Sequence, residues 1–131
     1  MLLTARSADQ LEQLSAQLSS KGVSAASAAI DLTQSDGIAA AIAGLLQQGE
    51  TPSVLINNAG AAYTGDLLAM PIERWQWLLQ LNVTSGMQVC SAVVPAMREN
   101  GGLVINISSH AARNAFPQWG CLLYTSPSPR D

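Results

Sequence analysis

The chain has 131 residues, 48% of them apolar and 11% charged, and a net charge of −3. That is enough for one domain with a core and too little for two, and the low charge argues against disorder. Scattered Lys and Arg cannot form a stripe along phosphates, so nucleic acid is not an expected partner, and no apolar run reaches the roughly 18 to 20 residues of a membrane span.

The N-terminus "MLLTARSADQ" has no basic region followed by an apolar one, so no secretory signal is read there. Cys90 and Cys121 form neither a disulfide framework nor a metal-ligand spacing, which points to a reduced, cytoplasmic protein with no metal site.

In chain order, "MLLTA" reads as a buried strand. Ser7 offers a helix N-cap, with Gln10 as its capping-box partner, and Leu11, Leu14 and Leu18 form one helix face. Lys21-Gly22 ends that helix. "VSAASAAIDL" is a second strand ending at Asp31. Thr33 is positioned to cap the next helix, whose apolar face is Ile38, Ile42 and Leu45, with Gln48-Gly49 as its stop. "SVLINNAG" is a third strand running into a glycine turn. A long helix is expected from about Pro71 to Arg98, since proline suits a first helical turn. Trp75, Leu78, Leu79, Val89, Val93 and Met97 would be buried, and Met70, Met87 and Met97 would serve packing. Asn100-Gly101-Gly102 breaks the helix, and "LVINISS" is a fourth strand.

The order is β-α-β-α-β-α-β, which predicts an α/β fold with parallel strands in a single sheet joined by right-handed crossovers. The low charge suggests strands buried on both faces. In such a sheet ligands bind beyond the carboxyl ends of the strands. Four sets of polar residues fall there: Arg6-Ser7, Asp31-Leu32, Asn57-Asn58-Ala59-Gly60 and Ser108-Ser109. Singly, each has a plainer reading: a cap, a turn former, a solvated charge, a strand-end loop. His110 has no acid nearby in sequence and reads as an exposed loop histidine.

Together these residues resemble the short-chain dehydrogenase/reductase family in its single-domain branch. The resemblance rests on "DL" at 31–32, "NNAG" at 57–60, Asn82 in "LNVTSG" and "GLVINISS" at 102–109, in that order and on those elements. It implies a partial Rossmann-type doubly wound parallel sheet. Residues 1–120 would be a fragment of an NAD(P)-binding domain, without the family's first strand and its G-x-x-x-G-x-G turn and without the C-terminal part. Met1 would fall inside the family's second strand. By the resemblance, Asp31 holds the adenine amino group and Leu32 packs on the ring. Asn57, Ala59 and Gly60 line the ribose, and Asn58 ties the central strands. Arg6, beside Ser7, stands where a cation meets a 2′-phosphate, so NADP(H) is favoured over NAD(H). Ser109 is implied as the catalytic serine, and Asn82 as the residue helping to hold a water against the catalytic lysine.

The family's proton donor is a tyrosine followed four residues later by lysine. Counted from Ser109 these fall on Leu122 and Ser126, and Tyr124 is out of register among prolines that forbid a helix. The segment "CLLYTSPSPRD", residues 121–131, matches one reading frame of a transposon-type sequencing adapter, and is expected to be a non-native tail. Phe116, Trp119 and His110 could border a substrate cleft. The expectation is an NAD(P)-dependent oxidoreductase interconverting a small-molecule carbonyl and a secondary alcohol. Its parent would be a homodimer or homotetramer, and the fragment itself inactive. Two other readings are a non-catalytic NAD(P)-binding sensor module on the same fold and a flavodoxin-like phospho-acceptor domain. The latter would need an acidic companion for Asp31 at the strand ends.

Overall fold

The computed structural model describes residues 1–112. Phe116, Trp119, Tyr124 and the tail from Cys121 lie outside the described residues.

The first strand, β1 (Leu2–Ala5), leads into α1 (Ala8–Ser20). Ser7 caps α1 as expected, its hydroxyl accepting the Gln10 N–H at 3.3 Å. At the other end Gly22 takes φ 77, a left-handed turn that a β-carbon would disfavour. The inner face of α1 differs from the expectation. Leu11 is buried and Leu18 half-buried, but Leu14 is 42% exposed. Residues seven apart lie about 20° apart around a helix, whereas Leu14 is turned about 60° from Leu11, onto the flank.

The strand β2 (Ala26–Ala29) pairs parallel with β1 and is shorter than expected, although Ile30 still donates its N–H to Ala5 O at 2.9 Å. Thr33 does not cap the following helix. Its N–H and its hydroxyl both go to Asp31 Oδ1, at 2.9 and 2.7 Å, closing a turn. The helix α2 (Ile38–Leu46) therefore begins later, behind Gly37 at φ 90, and buries Ile38, Ile42 and Leu45.

The strand β3 (Val54–Asn57) pairs parallel with β4 (Leu103–Asn106) in the register Val54↔Leu103 to Asn57↔Asn106. Between them the expected single helix is three pieces: α3 (Ile72–Leu79), a π-helical turn (Gln80–Thr84) and α4 (Ser85–Met97). Pro71 sits at the N-cap, one place before the first helical residue. Leu78, Val89, Val93 and Met97 are buried, while Leu79 is 42% exposed. Met70 and Met97 pack as expected, but Met87 is 66% exposed. Gly101 at φ 71 turns the chain into β4.

The strands are parallel, but among the described residues they form two two-stranded sheets, β1-β2 and β3-β4, and not one. A crossover helix fixes strand direction and not adjacency, so the sequence pattern could not tell one sheet from two separate pairs. The pairs are held side by side through α2 and α4. Ile38 and Ile42 of α2 meet Val89, Val93 and Met97 of α4, with Ile30 joining from the end of β2. Leu55 of β3 packs against this cluster, whereas Val54 and Ile56, on the other face, are 47% and 58% exposed. Burial on both faces of the strands is therefore not found for β3 among the described residues. A second cluster joins Met70 and Leu78 to Tyr63, Leu67, Trp75 and Trp77. No helix among the described residues is long and apolar enough to cross a membrane.

The α2–α4 contact is the joint between the pairs, so opening a cavity there should loosen both. Ile42→Ala is expected to cost about 2 to 5 kcal/mol, read as a lower urea midpoint with a single transition.

Candidate active site

A cleft of about 510 Å³ opens between β1 and β3, within the size of small-molecule sites. All four strand tips reach it: Ala5 and Arg6 at the end of β1, Ile30 and Leu32 after β2, Asn57 to Gly60 at the end of β3, and Asn106 and Ile107 at β4. One rim therefore collects the carboxyl ends of all four strands. Thr4 and Leu55–Ile56 also line it, which makes β1 and β3 the inner strands. The chain runs outward from β1 to β2, then crosses to β3 and runs outward again. The carboxyl-end rim of the cleft thus lies where strand order reverses, the usual ligand position in open α/β sheets, while its deeper part, lined by Thr4, Leu55 and Ile56, is the gap between β1 and β3.

The loop after β3 is fixed from two sides. At its root Asn57 Nδ2 donates to Asn106 Oδ1 at 2.9 Å, a bond that the parallel register makes possible, and lies 3.3 Å from Cys90 Sγ. The sequence had pointed to Asn58 for tying the strands; among the described contacts Asn57 makes that link, and Asn58 lines the cleft exposed. Further along, Asn82 grips the backbone of Ala61 with both ends of its amide. Its Oδ1 accepts the Ala61 N–H and its Nδ2 donates to Ala61 O, each at 2.8 Å. Gly60 belongs to the same brace, because a β-carbon there would come within 3.3 Å of Asn82 Oδ1. That is a reason for glycine which does not depend on any ligand.

Asp31 is exposed beside the cleft and is not one of its walls. The N–H and hydroxyl of Thr33 hold its carboxyl below the usual carboxylate range, with a smaller contribution from the Arg6 guanidinium. Ser7 is spent on its helix cap. Ser109 follows β4 beyond the cleft wall and accepts the Ala111 N–H at 3.2 Å, capping the short 3-10 turn His110–Ala112.

Arg6, Leu32, Asn57, Asn58, Ala59, Gly60 and Asn82 thus come together around one cleft, while Ser7, Asp31 and Ser109 stand at its margin. Sequence reasoning missed Cys90, Ala61 and Met87 as cleft residues. Helical spacing could have placed Cys90 and Met87 on the helix, but only the packing of that helix against β3 turns Cys90 toward Asn57, while Met87 borders the cleft and stays exposed. The cleft has an apolar floor, a cation at one tip and an exposed amide- and glycine-bearing loop opposite. That donor set fits the adenosine half of a dinucleotide.

Parallel strand pairs joined by helices, with their carboxyl ends on one rim, define an α/β protein of the Rossmann type. The chain matches the family model described as short chain dehydrogenase over residues 1–126, and it belongs to that family. It is 36% identical over 124 residues to a serine 3-dehydrogenase of Rhizobium radiobacter, covering 92% of this chain and 47% of that one. A metagenomic short-chain oxidoreductase solved in complex with NADP aligns with a TM-score of 0.87 at 33% identity, over 95% of this chain and 57% of its own. An NAD+-bound xylitol dehydrogenase aligns with a TM-score of 0.85 at 25% identity, over 95% of this chain and 48% of its own. The chain spans about half the length of the relatives it matches.

Replacing Asn82 by Ala strands the Ala61 backbone pair and should cost about 1 to 3 kcal/mol by chemical denaturation. Gly60→Ala should lose less, since the Asn82 side chain can yield a few tenths of an ångström. The Asp31 turn gives a pH signature. Its lowered pKa means the stabilisation is complete above the unfolded carboxyl's value and is lost as pH falls through the lowered one. The Thr33 amide resonance should titrate below the usual aspartate value of 3.8, and Thr33→Val should move the midpoint upward.

Proposed function

We propose that the chain is part of a cytoplasmic oxidoreductase that moves a hydride between NAD(P)(H) and a small carbonyl or secondary alcohol. The observation carrying this reading is the convergence of Arg6, Leu32 and Asn57–Gly60 on one cleft at the carboxyl ends of four parallel strands. The nicotinamide supplies the hydride chemistry when bound. This chain's own residues bind and orient. Leu32 offers the adenine an apolar wall, and Asp31, kept ionised by Thr33, is ready to accept from the adenine amino group. Asn57, Ala59 and Gly60 face the ribose, with Asn58 beside them.

Arg6, exposed at the tip of β1, can take a 2′-phosphate in a charge-assisted pair, which favours NADP(H) over NAD(H). Ser7 follows it at the helix N-terminus. The relatives leave this open, since one was solved with NADP and another with NAD+.

We assign Ser109 to the substrate oxygen. Asn82 contributes by holding the loop after β3, in addition to the water-holding role the family resemblance implies. The proton donor of this chemistry is a tyrosine, which has a pKa near 10 unperturbed and is brought into range by a neighbouring cation. General acid–base help of this kind is worth roughly 10²- to 10⁴-fold in rate. Positions 122 and 126, where the tyrosine and its lysine would fall, are Leu122 and Ser126. The 131-residue chain is therefore expected to bind nucleotide without turning over. Residues 1–120 are the nucleotide-binding part in this reading, and residues 121–131 a non-native tail.

Leu79, Val83 and Met87, four residues apart along the long helix and 42%, 38% and 66% exposed, are the apolar stripe available for a homodimer or homotetramer, although Val83 and Met87 also line the cleft, so such an interface would close that side of it. A non-catalytic NAD(P)-binding sensor on the same fold is the second reading; a tyrosine and lysine in register in the natural sequence after Gly120 would favour the enzyme, and their absence there the sensor.

Isothermal titration of the purified chain with NADP+ and NAD+ tests the first step. Binding of NADP+ that weakens about tenfold in Arg6→Ala, with NAD+ little changed, is expected for a lost charged contact. Equal effects on both cofactors would remove the case for the phosphate. NADPH oxidation by this chain with a ketone, above a blank, would refute the expected inactivity.

A further inference from the structure

The turn from Asp31 to Gly37 brings Leu32 to the cleft, yet it belongs to no strand or helix. Its internal bonds, Thr33 to the Asp31 carboxylate and Gln34 N–H to Asp31 O at 3.1 Å, shape the turn without fixing it to the rest of the fold. Two glutamines supply that attachment. Gln80 Nε2 donates to Leu32 O at 3.2 Å and to Gln88 Oε1 at 3.0 Å. Gln88 Nε2 in turn donates to Ser35 O at 3.2 Å. The two amides thus form a relay ending on two backbone carbonyls of the turn. Both side chains are half-buried, and neither is a wall of the cleft.

Their spacing is wrong for a regular helix. Residues eight apart on an α-helix are turned about 80° from one another, and residues seven apart only about 20°. The π-helical turn Gln80–Thr84 lies between them and adds one residue to the helical path. Gln88 is thereby returned to the face of Gln80, so that the two amides meet.

We infer that Gln80 and Gln88 are positioning residues: a clamp, phased by the π-helical turn, that holds the 31–35 turn and sets the Leu32 wall of the cleft. For nucleotide binding this rests on the reading above, with Leu32 against the adenine. The clamp also joins that end of the cleft to the helical segment carrying Asn82, which braces the loop after β3. One helix therefore sets the separation of two loops on opposite sides of the ligand space.

The test uses the full 131-residue chain with Gln80→Met and Gln88→Met, substitutions that keep side-chain length and remove the donors. Amide hydrogen exchange at Thr33 and Gln34 is followed by NMR, with the β3–β4 ladder as control, and adenosine 2′,5′-bisphosphate is titrated as the probe. Exchange in the turn should quicken about tenfold and probe affinity fall about tenfold, with the ladder unchanged. Gln88→Glu, which keeps the acceptor for Gln80, should recover part of the protection and part of the affinity. Unchanged exchange at Thr33 and Gln34 overturns the clamp. So does equal acceleration in the ladder, which marks general destabilisation. A parent chain that fails to bind the probe defeats the nucleotide reading alone. Selective loosening of the turn would then still establish the clamp, and its absence would still refute it.

Discussion

The packing of α2 against α4 is the constraint on which the rest of the molecule depends. No ladder joins the β1-β2 pair to the β3-β4 pair among the described residues. Their common orientation is transmitted through Ile38 and Ile42 on one helix and Val89, Val93 and Met97 on the other. These side chains are nearly all aliphatic, and burial of that kind is strong but non-directional. Direction is supplied by the strands themselves, because each crossover helix returns the chain to the same starting end. An apolar joint and parallel pairs together leave an opening between β1 and β3 with all four carboxyl ends on one rim.

Polar contacts then sharpen what the apolar joint leaves loose. The loops after β2 and β3 are held by side-chain amides and a carboxylate acting on backbone. Asn82 holds Ala61, Gln80 holds Leu32, Gln88 holds Ser35, and Asp31 holds Thr33. Each bond is worth on the order of 1 kcal/mol, so none decides whether the chain folds, but together they decide where the loops stand. Three of the four arise from one helical stretch. The π-helical turn within it is a local departure from ideal geometry that brings Gln80, Asn82 and Gln88 to bear on two loops at once, in keeping with the frequency of such turns at functional sites.

Much of this was legible in the sequence, and the reasons differ by element. Ser7 and Gly22 mark the ends of α1 because capping is local chemistry, independent of the rest of the fold. The common rim was legible because strand–helix alternation leaves few topologies. Thr33 was misread because a hydroxyl ahead of an apolar helix resembles a cap, and nothing local reveals that Asp31 claims it first. Leu14 and Leu79 look buried to a pattern that counts apolar residues, but a helix face has a centre and flanks, and packing selects the centre. The irregular helix left a faint trace: Val83, Thr84 and Gly86 cluster where good helix formers would be expected. The gap between the strand pairs left none, since adjacency of strands is a property of the whole fold. At the cleft, Arg6, Leu32 and Asn57–Gly60 were legible because their positions follow from strand ends, and Asn82 through the family resemblance alone. Gln80 and Gln88 were not, because their pairing exists only once the π-helical turn underwinds the helix by a residue.

The opening between β1 and β3 has a further physical consequence. Each of these strands bonds to one neighbour among the described residues, so the edge toward the opening takes part in neither ladder. The walls of the opening are therefore strand edges as well as side chains, so its shape is set by the spacing of two backbones.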